Sequence, residues 1–488
     1  MDRPTIAIIG AGFSGTMLCL HLLREAAPTT RILLIERSAT FGPGQAYGTD
    51  HASHLLNVPA GRMSAFPDHP LHFLTWLQNQ PPEHAGAPTP TATSFVQRSL
   101  YGAYLRDLLA EATRSAPSDR LESVSGKVVA ITRDTAGVTL HLDQDRSLPA
   151  TMAVLATGNN PLTTVPVADP GFYDNRLYRH DPWSPTALSG IPHDRPILLI
   201  GTGLTMVDTV LRLLDAGHAG PIHALSRRGK LPHTHATAAV AVPMPDPAGF
   251  PRSPAALLRF VRAEAERITG AGGSWHAAID ALRPITQALW QGWSTPERRR
   301  FLAHIRPMWD IHRHRMAPAV AERIGAARAS GQLRIHAGRI DGFTPAEDGV
   351  DIAWRPNGGS ERAQLRAELV VNCTGPGSDI TRSADPLHQA LLAGGLARPD
   401  ALRLGFDVTP TGALRGADGA VSACLFGVGP VCRSALWEIT AVPDIRQHCQ
   451  QLARHLAAMT RPSEADDMPI RYEVPAQAAM GKIPALWF

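Results

Sequence analysis

Cysteine is scarce in this chain, with five in 488 residues, at Cys19, Cys373, Cys424, Cys432 and Cys449. No two of them form a CxxC pair or zinc-ligand spacing, so neither a disulfide framework nor a structural metal is expected, and the usage suits a reducing cytoplasm. Strong charge of one sign is also missing. A formal net charge of +4 with 18% charged residues gives no support to a nucleic-acid or membrane-surface partner. Long hydrophobic runs are absent, and no segment approaches the roughly 20 apolar residues of a membrane span. At the start, MDRPT leads straight into the apolar IAIIG, with no charged region, apolar core and cleavage site of a secretion signal. The expectation is a cytoplasmic protein.

What is present exceeds one compact core: 488 residues at 44% hydrophobic content predict two or three domains. Two stretches pass through the same four events in the same order. The first runs from IAIIGAGFSG (6–15) to RILLIER, which ends at Glu36 and Arg37, then the alternating pair KVVAITRD and GVTLHLDQ, then MAVLATG (152–158). The second runs from ILLIGTGLTM (197–206) to PIHALSRR, which ends at Arg227 and Arg228, then GRIDGFTP and GVDIAW, then LVVNCTG (369–375). An apolar run, glycines and an amphipathic stretch read as the strand, turn and helix of a βαβ unit, and the period-2 pairs as hairpins. The pattern predicts an α/β protein with two Rossmann-like dinucleotide-binding domains, one for FAD and one for NAD(P).

The expected boundaries are 1–160 for the first part of the FAD domain, 161–365 for the NAD(P) domain, 366–460 for a return to the FAD domain and 461–488 for a tail without assigned role. A helical insertion at about 243–333 is expected to cap a cleft. Within it, Ser253-Pro254 signals a helix start. Leu257, Leu258, Val261, Ala265 and Ile268 share one face of a helix of three or four turns. LFGVGP (425–430) reads as a strand followed by glycines, and AVPDIRQHCQQLARHLAAM as a helix.

Gly10, Gly12 and Gly15 make a complete GxGxxG between strand and helix, with Phe13 and Ser14 opening the helix toward a pyrophosphate. Glu36 lies 21 residues beyond Gly15, where a carboxylate accepts ribose hydroxyls, with Arg37 beside it. The competing reading is a glycine turn that binds nothing. In the second unit Gly201 and Gly203 precede Leu204 and Thr205, but Met206 takes the third glycine position. Its strand ends in Ser226, Arg227 and Arg228, and guanidinium groups there suit a 2′-phosphate, favouring NADPH over NADH. A solvated basic turn is the alternative.

The chain resembles the FAD/NAD(P)-binding protein family that includes the enterobacterial YdhS protein. The resemblance is carried by GAGFSG, AYGTDHASHLLNVPAGRMSAFPD (46–68), GTGLTMVD (201–208), HRHRMAP (312–318) and LWEITAVPDIR (436–446). More remotely, the two-domain plan is similar to N-hydroxylating and Baeyer–Villiger flavin monooxygenases. Their ATG segment resembles Ala156, Thr157 and Gly158, which implies cofactor contacts at Thr157 and Gly158 and, in the second unit, at Thr374 and Gly375. Gly429, ahead of Trp437 and Glu438, resembles the C-terminal FAD motif of two-domain flavoproteins, whose helix N-terminus faces the flavin.

The loop from Phe41 to Asp68 follows the adenosine-binding strand, so Tyr47, His54, Asn57 and Arg62 are candidates for flavin or substrate contacts, each with a structural alternative. Trp437 is a further flavin-side candidate or a core residue. His312 and His314 are two apart and make no zinc pair on a helix; with Arg313 and Arg315 they bind an anionic group or form a solvated face.

Flavin carries the redox chemistry, and no nucleophile or paired carboxylates are evident. The favoured reading is a monooxygenase that uses NADPH and molecular oxygen on a small polar, amine-bearing or anionic substrate. A reductase passing electrons to a non-oxygen acceptor is the first alternative, without the dithiol that disulfide reduction needs. A redox-sensing flavoprotein is the second.

Overall fold

The computed structural model describes residues 3–81, 89–143, 145–236, 249–359 and 361–461, so the tail beyond 461 and residues 243–248 of the insertion lie outside the described residues. Short aliphatic runs become strands buried on both faces, as parallel sheets covered by helices require. The first half supplies β1 (Thr5–Ile9), β2 (Arg31–Glu36), β3 (Leu121–Ser125), β4 (Val128–Arg133), β5 (Val138–Leu142), β6 (Ser147–Ala150) and β7 (Met152–Leu155). The second supplies β8 (Tyr178–Arg179), β9 (Ile197–Ile200), β10 (Ile222–Ser226), β11 (Leu333–Ala346), β12 (Gly349–Pro356), β13 (Ala363–Ala367) and β14 (Leu369–Asn372). The chain then adds β15 (Ala413–Arg415) and β16 (Val421–Gly427). The order β15-β16-β7-β1-β2-β3 makes one sheet and β13-β12-β11-β10-β9-β14-β8 another, with β4-β5-β6 a separate antiparallel layer.

The repeat survives at atomic detail. Gly10 N donates to Ile35 O at 2.8 Å and Gly201 N to Leu225 O at 2.8 Å; Ala156 N donates to Ile9 O at 2.8 Å and Cys373 N to Ile200 O at 2.9 Å. Glu36 and Ser226 therefore occupy equivalent strand ends, as do Ala156 and Cys373.

Eight helices matter for the site: α1 (Phe13–Glu25), α2 (Arg98–Ser115), α3 (Leu204–Asp215), α4 (Pro254–Gly270), α5 (Thr286–Gly292), α6 (Arg306–Arg313), α7 (Pro318–Ala329) and α8 (Val442–Met459). Met17, Leu18 and Leu22 of α1 share one core with Cys449, Leu452 and Leu456 of α8, so the C-terminal segment returns to the first sheet. Among the described residues, no helix is long and apolar enough to cross a membrane.

Three expectations are corrected. The cap is shorter than 243–333: Val320, Ile324 and Ala327 of α7 join the core of the second sheet with Val207, Val210 and Leu211 of α3, so α7 is the crossover helix entering β11. The boundary at 365/366 also moves, because β14 pairs with β9 and the chain leaves the second sheet only after Asn372. Finally, α4 has 17 residues, close to five turns, since it runs from Pro254 to Gly270, past the apolar face of Leu257 to Ile268 at both ends. Its start is as expected, with the Ser253 side chain accepting from Ala256 N at 3.4 Å and proline in the first turn.

Candidate functional site

At the first glycine turn the spacing is set by backbone packing. A Cβ on Gly10 would stand 2.5 Å from Ala156 O, and one on Gly15 only 1.8 Å from Gly10 O. No side chain caps α1, so its first N–H groups are offered to an anion. Glu36 Oε2 accepts from Ala11 N at 2.8 Å and Oε1 from Ser38 N at 3.0 Å, which fixes the carboxylate against the turn while lone pairs remain for ribose hydroxyls. Arg37 is exposed beside it.

The second turn repeats this design with one difference. A Cβ on Gly201 would stand 2.3 Å from Cys373 O, as Gly10 stands to Ala156, whereas a Cβ on Gly203 meets nothing within 4 Å. Met206, fully buried, fills the third glycine position. Here too α3 has no side-chain cap. Where Glu36 stands in the first unit, Ser226 Oγ lies 2.9 Å from Thr202 Oγ1, so no carboxylate repels a 2′-phosphate. Arg227 and Arg228 are exposed just beyond it, and Arg228 Nη2 reaches Ala303 O in the cap at 3.4 Å. Lys230, which sequence reasoning passed over, adds a third exposed cation there. Thr157, Gly158, Thr374 and Gly375 follow the equivalent strands β7 and β14 of the two sheets, and the two glycines share positive φ values of 73° and 82°.

The C-terminal motif meets the first turn. Gly429 abuts α1 so closely that a Cβ would fall 2.3 Å from Ser14 Oγ, which brings the C-terminal motif to the first nucleotide turn. Glu438 follows, 7% exposed and at a φ of 67°, a left-handed conformation that costs about 1–3 kcal/mol in a non-glycine residue. Its Oε1 accepts from Trp309 Nε1 at 3.0 Å, and its Oε2 meets His314 Nε2 at 3.4 Å and Arg313 Nε at 3.5 Å. Burial alone would raise its carboxyl, but these neighbours pull it down to about 2, so the group is a fixed anion. Around it, Tyr101 Oη, Arg446 Nε, Asp444 Oδ2, Gln287 Oε1 and Trp437 Nε1 are buried without hydrogen-bond partners. Each orphan costs about 1–3 kcal/mol unless a ligand satisfies it, so these groups fit a large polar cofactor such as FAD.

The predicted residues separate here. Tyr47 packs edge-on to Tyr101, with centroids 4.6 Å apart, and to Phe13 at 6.2 Å, next to the α1 tip; burial pushes its hydroxyl pKa up. Trp437 is 2% exposed and stacks on Trp290 at 4.9 Å, so it is core and cleft wall at once. His54 goes to structure instead, because its Nδ1 pairs with Thr49 Oγ1 at 2.8 Å and its Nε2 with the carbonyl of Asp208 at 3.3 Å. Asn57 contributes its carbonyl, which accepts from His235 Nε2 at 2.9 Å. Arg62 is exposed near the charged cap residues Asp280 and Arg283.

The HRHR segment is not a solvated face. Arg313 and Arg315 are 6% and 2% exposed, and Arg315 Nη1 donates to Asp280 Oδ2 at 3.1 Å. Sequence reasoning also missed Arg98, whose guanidinium grips Asp208 with two bonds of 2.9 and 3.1 Å, tying α2 to α3. The available signal was an acid inside the apolar run LTMVDTVL. Asp310, His314 and Glu438 place ligand atoms within 4.8 Å of one another, but Arg306 stands 3.3 Å from Asp310 and Arg313 3.5 Å from Glu438, so guanidinium groups already balance the carboxylates.

Residues 7–160 match the model of an FAD-NAD(P)-binding family. No curated protein matches the chain. Among solved structures it is similar to the ornithine N-hydroxylase of Kutzneria sp. 744, solved with reduced FAD, NADP+ and L-ornithine, at 14% identity and a TM-score of 0.62 over 94% of this chain and 100% of that one. The L-lysine 6-monooxygenase of Pseudomonas syringae gives 15% identity and 0.62 over 94% and 100%. The thioredoxin reductase of T. acidophilum gives 10% and 0.50 over 94% and 99%. These likenesses establish the fold, two dinucleotide-binding domains in one chain.

Proposed function

We propose that this chain is a cytoplasmic FAD-dependent oxidoreductase that draws hydride from NADPH and acts as a monooxygenase on a small polar, amine-bearing substrate. The observation that carries the reading is the doubled glycine turn, identical in backbone hydrogen bonding but with Glu36 at one strand end and Ser226, Arg227 and Arg228 at the other. One turn suits a nucleotide with free ribose hydroxyls, the other a nucleotide with a 2′-phosphate. Bound FAD supplies the redox chemistry.

The protein's own groups hold and enclose. The α1 tip and Glu36 bind the adenosine diphosphate end of FAD, while the uncapped α3 tip and the arginines bind NADPH. The start of α8 offers less to an anion, because Pro443 has no N–H, Asp444 N already donates to Ala441 O at 3.0 Å and Asp444 itself is acidic. The cap limits access of water to the cleft, which a monooxygenase needs, and the shape shared with amine hydroxylases supports that branch. The dithiol branch of a reductase lacks support, because all five cysteines are free and buried, and burial pushes those at Cys19 and Cys373 up to about 12.

The test is anaerobic mixing of the yellow protein with NADPH or NADH, followed by admission of oxygen with and without ornithine, lysine or simple amines. The expected result is faster bleaching by NADPH and NADPH consumption stimulated by an amine without matching hydrogen peroxide release. Protein that takes up no FAD, or flavin that NADPH does not bleach, removes the proposal.

A further inference from the structure

The helical cap holds a half-open apolar pocket of about 220 Å³. Four of the chain's nine tryptophans, Trp275, Trp293, Trp309 and Trp437, form its walls together with aliphatic residues of α4 such as Leu258 and Ala265. Few polar side chains reach it. Thr286 Oγ1 already donates to Leu282 O at 2.8 Å, His312 Nδ1 is 2.7 Å from Met308 O, and Arg262 is exposed. A polar ligand would find almost nothing to bond, and burying its groups there would be costly. Protein cores rarely leave voids larger than a water molecule, whereas dry apolar cavities of about 150 Å³ bind small hydrocarbons. Whole drug-sized ligands occupy about 300–1,000 Å³, so this space suits one part of a molecule. Two wall residues border the cleft: Trp437 precedes Glu438, and Trp309 donates to it at 3.0 Å.

We propose that this chamber receives a hydrocarbon tail of the substrate, so that the substrate is an amphiphile whose tail lies among the cap tryptophans and whose polar, amine-bearing end faces Glu438 and the flavin side of the cleft. The fate of the polar end rests on the monooxygenase reading; seating of the tail does not. Ornithine-sized substrates would leave the chamber empty, and this separates the substrate class of this chain from one chosen by polar contacts alone.

The probe is a series of unbranched primary alkylamines from butylamine to decylamine, titrated into the FAD-loaded full chain without NADPH. Calorimetry and tryptophan fluorescence read the binding. Affinity is expected to rise about fourfold per added methylene until the chamber is full, then to level. Ala265→Trp should move the plateau to a shorter chain, and Leu258→Ala to a longer one; either variant alone suffices if the other does not fold. Affinity that is flat along the series overturns the proposal. NADPH consumption, measured separately, distinguishes the two claims. Length-dependent binding without amine-stimulated consumption keeps the chamber and removes the monooxygenase, and stimulation with no length dependence does the reverse.

Discussion

Gly15 and Gly203 look interchangeable as letters in a motif, but their surroundings assign them different work. Gly15 is locked by contact, since a Cβ would overlap Gly10 O at 1.8 Å, while Gly203 faces open space on the nicotinamide side. Gly15→Ala is therefore expected to abolish FAD retention or folding. Gly203→Ala should keep a normal flavin spectrum yet weaken NADPH binding, because its methyl group meets only the incoming nucleotide; unchanged NADPH affinity would remove that nucleotide from the α3 tip. Arg227→Ala with Arg228→Ala should raise the KM for NADPH roughly ten- to hundredfold, as expected for lost charge-assisted bonds, and leave that for NADH nearly unmoved. Equal effects on both would discard the phosphate site. At this scale the glycines, Glu36 and the arginines were legible because spacing alone dictates their geometry. The role of His54 was not, since its partners, Thr49 and the Asp208 carbonyl, are set by tertiary packing.

Elements were legible by period but not by partner. A 3.6-residue pattern identifies α4 as a helix, whereas α7 lay unmarked within the expected insertion, and only contact shows that α4 belongs to the cap core with Trp290 and Trp437, and α7 to the second sheet with Val207 and Val210. The same limit hid the joint between α2 and α3. Arg98 and Asp208 side chains are 14% and 8% exposed, so the pair is shielded from solvent, and removal of one partner strands the other. Arg98→Ala should therefore lower unfolding stability by about 3–5 kcal/mol, read by chemical denaturation of the FAD-loaded protein. The segment around Leu55 should be exposed with it, because Leu55 O also accepts from Arg98 Nε at 3.0 Å. A loss below about 0.5 kcal/mol would show that the joint is a surface contact.

Across the whole molecule burial lowers eleven of the described histidines from an ordinary value of 6.5, and four of them, His21, His223, His235 and His448, reach about 4. They sit in different parts of the fold, on α1, β10, the segment after β10, and α8. Composition showed 21 histidines but not which of them the fold would seal off. A lowered folded value means that the unfolded chain binds these protons first as pH falls. The stabilisation is thus complete above 6.5 and is lost between 6.5 and about 4, as these extra protons favour unfolding. The buried anion Glu438, lowered from 4.5 to about 2, loses its contribution as pH falls between those values, mostly below the histidine window. Thermal melts should be level from pH 8 to 7 and then fall steeply through pH 5. His448, with neither ring nitrogen partnered, is the cleanest of the four. His448→Leu should flatten that fall measurably, as its proton is removed from the linkage. Melting temperatures that stay level down to pH 5 in the parent protein would mean that water or a partner reaches these rings and that the sealed interior described for the two domains opens readily in solution.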